Sequence, residues 1–186
     1  MLGLVIIDMQ KWMFRYPERA AQIDSLVANI NAVAKVFERE LPIFDVQTIH
    51  KADRSTWSRL MHKHDYPCLI EGTEDARLVD GYRLPERAVQ ITKSANSAFL
   101  GTSFETQLKA AGVTELALTG VFIDGCVGLT AADAAQRGFD VAFIENAIGH
   151  TRADRRSAIL NWLAEDYELR IWSAKQAVAH VRDRPS

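Results

Sequence analysis

The sequence predicts an α/β fold, a three-layer α/β/α sandwich around a mostly parallel sheet of about six strands. Three observations carry this expectation. Short runs of Leu, Val and Ile alternate with amphipathic stretches along the chain, the pattern of a parallel sheet wrapped by helices. The first run is continuously apolar, as strands buried on both faces tend to be. No internal repeat, low-complexity tract or linker interrupts the series, so one domain over residues 1–186 is expected.

The elements follow in order. Leu2–Ile7 reads as the first buried strand. Asp24 is placed to cap a helix through Glu40, because Ile23, Leu26, Val27, Ile30, Val33, Ala34 and Phe37 share one face at helical spacing. Ile43–Thr48, after Pro42, reads as the second strand. Residues 50–86 show little periodicity and hold charges, prolines and glycines; a long loop with short helical pieces is expected, serving as a lid or a subunit contact. Ala88–Thr92 is the third strand. Thr102 and Glu105 match a capping box for a helix ending near Gly112. Leu116–Thr119 is the fourth strand, followed by a small-residue helix from Cys126 to Arg137 closed by Gly138. Val141–Ile144 is the fifth strand, Thr151 is placed to cap a helix through Asp166, Leu169–Ile171 is a short sixth strand, and Ala174–Val181 is a final helix.

Composition narrows the function classes. The 186 residues are 48% apolar and 25% charged with a formal net charge of −2, enough for a substantial core and no electrostatic case for nucleic acid or an anionic membrane. No run approaches the roughly 18 apolar residues of a spanning helix. The N-terminal MLGLVIIDMQ lacks a basic lead-in and a small-residue cleavage site, so it reads as a strand and not a signal peptide. Two cysteines, Cys68 and Cys126, make neither a disulfide framework nor a C-x-x-C pair. A cytoplasmic protein with free thiols is expected.

Parallel sheets bind ligands at the carboxyl ends of their strands. Asp8 follows the first strand, Lys93 the third, and Cys126 lies just past the fourth at a helix start. The topology therefore brings an acid, an ammonium and a thiol to one edge. A helix N-terminus and a neighbouring ammonium lower a thiol's pKa from about 8.5, so Cys126 is expected to be activated. Asp8 is placed to take its proton and deliver it to a leaving amine. Cys68, beside Pro67 in the long loop, is expected to be inert.

The strings VIIDMQ (5–10), ITKSANSAF (91–99) and TGVFIDGCV (119–127) resemble the isochorismatase-like cysteine hydrolase family, and TAADA (130–134) and GFDV (138–141) match its continuation. The resemblance covers roughly residues 2–150 and rests on the order and spacing of three motifs. It implies an Asp–Lys–Cys triad at Asp8, Lys93 and Cys126, a cis peptide at Val121–Phe122, and an oxyanion hole from the amides of Phe122 and Cys126. It also implies hydrolysis of a small amide or carbamoyl C–N bond through a thioester. Two other readings stay open: a vinyl-ether hydrolase, which needs no cysteine nucleophile, and a catalytically silent relative that binds a ligand. Asp124 is expected to cap the helix of the nucleophile.

Gln10, Phe14, Arg54, Trp57 and Phe122 are the candidate substrate-binding residues, with Arg54 placed to meet a carboxylate. Some relatives, the nicotinamidases, hold a metal through an Asp and two His after the second strand. Here Asp45 falls inside that strand, His50 lies five residues on, and His62 and His64 point to different sides. No metal and no cofactor are expected. A homo-oligomer, dimer or tetramer, is expected, with the loop residues Trp57, Met61, Tyr66 and Leu69 as contacts.

Overall fold

The computed structural model describes residues 1–183. Among them, β1 (Leu2–Ile7), β2 (Ile43–Thr48), β3 (Val89–Lys93), β4 (Glu115–Gly120), β5 (Asp140–Ile148) and β6 (Arg170–Trp172) form one sheet in the order β3-β2-β1-β4-β5-β6. Every neighbouring pair is parallel. The helices are α1 (Pro17–Ala20), α2 (Ile23–Phe37), α3 (Arg59–His64), α4 (Phe104–Ala110), α5 (Cys126–Gln136), α6 (Ala153–Asp166) and α7 (Ala174–Arg182).

The apolar run of β1 is continuous because both faces are covered. Its six residues are all buried. Leu2, Leu4 and Ile6 pack with Ile30 and Phe37 of α2 and with Ala177 and Val181 of α7. Val5 and Ile7 pack on the other side with Phe104 and Leu108 of α4, Val127 of α5 and Leu160 of α6. A period of two along the strand thus feeds two helical layers.

The strand order reverses between β1 and β4, the position where open α/β sheets form a crevice at their carboxyl edge. Asp8 leaves β1 there with φ of 55°, a left-handed conformation that Asp tolerates better than most residues. Across the crevice, the Val121–Phe122 peptide is cis and leads into α5. Two glycines let this turn approach its neighbours. A Cβ on Gly120 (φ 101°) would fall 2.1 Å from the Ile7 carbonyl oxygen, and one on Gly128 would fall 2.2 Å from that of Ile123. Ala ordinarily stabilises a helix interior over Gly by about 1 kcal/mol. Gly128→Ala is expected to reverse that sign and cost about 2 kcal/mol through overpacking. A lowered midpoint of urea unfolding with unchanged slope would show it, and a raised midpoint would refute it.

Four expected caps are not formed. Gln22, not Asp24, precedes α2; its amide instead donates to the Glu18 and His150 carbonyls. Ser103 precedes α4 without a side-chain cap, while Glu105 pairs with Lys109 and Arg137. Thr102 accepts from the Phe104 amide, 3.1 Å away. Thr151 and Asp124 bind each other, the Thr151 amide donating to Asp124 Oδ1 at 2.9 Å, so neither caps a helix. That tie joins the β4–α5 turn to the end of β5. A reciprocal box forms instead at α7, between Ser173 and Gln176. Capping patterns in sequence fail here because nearby donors and acceptors from other segments compete for the same side chains.

Candidate active site

Asp8, Thr48 and Lys93 stand at the ends of three adjacent strands, β1, β2 and β3, and are buried. Thr48 and Lys93 are direct register partners, so their side chains emerge on the same face. Thr48 Oγ1 accepts from Lys93 Nζ at 2.5 Å and donates to Asp8 Oδ1 at 2.9 Å, and the Thr48 amide also donates to Asp8 Oδ1 at 2.9 Å. Lys93 Nζ further reaches the Ala95 carbonyl at 3.0 Å, Asp8 Oδ2 at 2.9 Å and Cys126 Sγ at 3.3 Å. The ammonium is therefore the hub of the cluster. Asp8 Oδ2 touches that ammonium but accepts no well-formed hydrogen bond, which leaves an acceptor position open.

Gln10 holds this arrangement from behind. Its amide donates to the carbonyls of Thr48 (3.0 Å) and Ala76 (2.9 Å), and its Oε1 accepts from the Thr48 amide at 3.0 Å. Fully buried and fully engaged, it positions Thr48 and has no donor left for a ligand. On the other side, Ser97 Oγ donates to Asp133 at 2.6 Å and the Ala98 amide donates to Thr130 Oγ1 at 3.0 Å. These bonds tie the segment after Lys93 to the helix that begins with Cys126.

Electrostatics correct the expectation of an activated thiol. Burial, and then the Asp8 charge, push Cys126 up to about 12, while the Lys93 charge pulls the other way. Burial by itself would lower the Lys93 ammonium, yet its neighbours, Asp8 first and Cys126 after it, outweigh burial and raise the value. The resting cluster is an ion pair beside a protonated thiol. The helix start and the ammonium do not offset desolvation in so enclosed a place.

A cavity of about 400 Å³ opens onto Cys126, within the size range of small-molecule sites. Its walls include Trp12, Met13, Leu60, Met61, Tyr66 and Leu69, with Thr48 and His50 beside the cluster. The loop 50–86 supplies much of this wall: α3 lies within it, and a parallel bridge of His50 to Ile70 anchors it to the sheet edge. Cys68 is buried in the same wall, and burial raises its thiol.

The candidate binding residues fall elsewhere. Phe14 and Phe122 meet edge to face in the core, ring centroids 6.1 Å apart. Trp57 lines a neighbouring open groove, and Arg54 stacks on it at 4.7 Å while pairing with Asp65 at 2.8 Å. None of these lines the cavity at Cys126. For a metal, Asp45 is committed to the Tyr82 hydroxyl and the Gln47 amide, both at 2.6 Å. His62 and His64 are exposed on α3, and His50 Nδ1 faces the Thr56 carbonyl at 2.8 Å. The described residues hold no group of three His, Cys, Asp or Glu arranged for a metal ion, so the nicotinamidase donor set does not fit. No helix among them is long and apolar enough to cross a membrane.

Comparison with known proteins converges on one family. The family model described as the isochorismatase domain matches residues 3–184. The secreted isochorismatase effector Isc1 of Verticillium dahliae is 28% identical over 149 residues, 72% of this chain and 76% of that protein. Maleamate amidohydrolase of Pseudomonas putida is 30% identical over 114 residues, 61% of this chain but only 53% of the relative. A cysteine hydrolase from Pseudomonas syringae pv. phaseolicola superposes with a TM-score of 0.88 at 18% identity, covering 97% of this chain and 92% of the other, which shows a shared fold.

Proposed function

The chain belongs to the isochorismatase family, and from that premise we propose that it is a cysteine hydrolase of small amides or carbamoyl compounds. The observation that carries the reading is the Lys93 ammonium in contact with both Asp8 (2.9 Å) and Cys126 (3.3 Å), with Cys126 on the wall of a cavity. A ligand-binding module has no use for a buried acid and a buried cation, the cation in contact with a thiol on the cavity wall.

The steps follow from the charges. The Cys126 thiol passes its proton to Asp8 as Sγ bonds to the substrate carbonyl carbon. This internal transfer avoids adding a net charge to a buried site, which loss of the proton to solvent would do. Carbonyl π electrons move to oxygen, and the oxyanion is stabilised by the amides of Phe122 and Cys126. Among the described residues neither amide donates to a protein acceptor, which supports that role. Collapse breaks the C–N bond, Asp8 returns the proton to the departing nitrogen, and a thioester remains on Sγ. Asp8 then takes a proton from the water that attacks the thioester, Sγ leaves and is reprotonated, and the acid product departs. Lys93 holds Asp8 and the thiolate throughout. The same reading places the protein in the cytoplasm as a dimer or tetramer.

The test is to quench turnover of a small amide panel in acid and weigh the intact protein. We expect an acyl adduct on Cys126, together with ammonia release that falls about 10³-fold or more in Cys126→Ala. Undiminished turnover in that variant would sink the proposal. The match to a relative named as an isochorismatase effector favours a second reading, vinyl-ether hydrolysis with Asp8 as the proton donor. Turnover of a vinyl ether that survives Cys126→Ser separates it from the first.

A further inference from the structure

The cavity at Cys126 carries no lysine or arginine on its wall, its only basic lining groups being the imidazoles of His50 and His64. Of its lining residues none is Lys, Arg, Asp or Glu. The Asp8–Lys93 pair sits behind the floor with both side chains fully buried. Nearby cations are spent elsewhere: Lys11 pairs with Glu74 and Asp80, and Arg54 with Asp65. Arg15 stacks on Trp12 at 3.5 Å and donates to the Trp12 carbonyl at 3.0 Å, outside the lining.

His50 adds a sign to this neutrality. Its Nδ1 stands 2.8 Å from the Thr56 carbonyl, and a carbonyl only accepts, so Nδ1 bears the hydrogen. The neutral ring then offers Nε2 as a lone pair. Burial first, and the Lys93 charge last, lower the imidazole's pKa, which favours that neutral form. The lone pair welcomes an N–H donor and repels a carboxylate. Trp12, Met13, Leu60, Met61 and Leu69 supply apolar surface, and Ser58, Ser94 and Asn96 add uncharged polar groups. A carboxylate entering this space would lose its hydration with no lysine or arginine to replace it, His64 on the lining being exposed to solvent.

Resting on the amide-hydrolase reading, we infer that the cavity selects uncharged amides bearing an apolar or aromatic group and excludes amides that carry a carboxylate. Trp12, Leu60 and Met61 are the specificity determinants.

An isosteric pair tests it: 4-methylpentanamide carries an isopropyl group where succinamate carries a carboxylate. We expect kcat/KM for ammonia release to favour 4-methylpentanamide by about 100-fold or more, a discrimination of the size that an unpaired buried polar group imposes. Leu60 is largely exposed at 61% yet lines the cavity, so Leu60→Lys should fold and narrow the ratio by about 10-fold. Calorimetric binding of both compounds to Cys126→Ala separates the two proposals. Selective binding without turnover in the wild type would overturn the hydrolase reading and support the selectivity. Equal turnover, or a preference for succinamate that Arg15→Ala abolishes, would overturn the selectivity and leave the hydrolase standing.

Discussion

Replacing Lys93 with Met is expected to cost about 3–5 kcal/mol of stability at pH 7 and to reduce amide hydrolysis about 10³-fold. The side chain is fully buried, as is that of Asp8, its ion-pair partner at 2.9 Å. Met fills a similar volume, so the loss is electrostatic. The Asp8 carboxylate would stand in the interior with Thr48 as its donor and no opposing charge. A deficit of this size lowers the thermal midpoint by on the order of 10 °C in a domain of this length. Scanning calorimetry at pH 7 reads the loss. An unchanged midpoint at pH 7 would mean that Asp8 is hydrated and the pair is not what organises the edge of the sheet.

The fold was legible because its signal is local. Continuous apolar runs and one-sided helices mark elements wherever both faces of a sheet are covered, and β1 and β2 match their expected bounds. β5 runs to Ile148, four residues beyond expectation, because its Glu145-Asn146 step breaks the apolar run while the register shifts opposite Gly120. Asp8, Lys93 and Cys126 were placed on one edge by topology alone. What sequence could not supply was the second layer around them. Thr48 looks like any strand threonine, yet its hydroxyl links Asp8 to Lys93. Gln10 lies in a motif at the site, and only its three hydrogen bonds show that it braces Thr48 and faces away from the ligand. The cavity walls were hidden for another reason. Trp12 lies on a single 3-10 turn and Met61 on a six-residue helix, too short for any period to be read.

The thiol gives the sharpest expectation. With burial and the Asp8 charge pushing its thiol up to about 12, resting Cys126 is expected to hold far less thiolate at pH 7.5 than an ordinary cysteine. Its alkylation by iodoacetamide, followed by peptide mass spectrometry against N-acetylcysteine, should lag by about 100-fold or more, one pKa unit being a factor of ten in the population. The rate should climb roughly tenfold per pH unit through pH 10 without a plateau, because the native thiol stays protonated well past the point where a free one ionises. The Asp8 charge raises Cys126 and the Lys93 charge lowers it, so the variants act in opposite directions. Asp8→Asn should speed alkylation while it suppresses hydrolysis, since the thiol gains acidity but loses the base that must take and return its proton. Lys93→Met should slow both. Had Cys126 been activated at rest, Asp8→Asn would leave alkylation unchanged and a plateau would appear near neutral pH. The two rates diverging in Asp8→Asn would mean that reactivity is withheld until a substrate carbonyl is present to receive the sulfur, so that a buried thiol beside an ion pair stays unreactive toward other electrophiles.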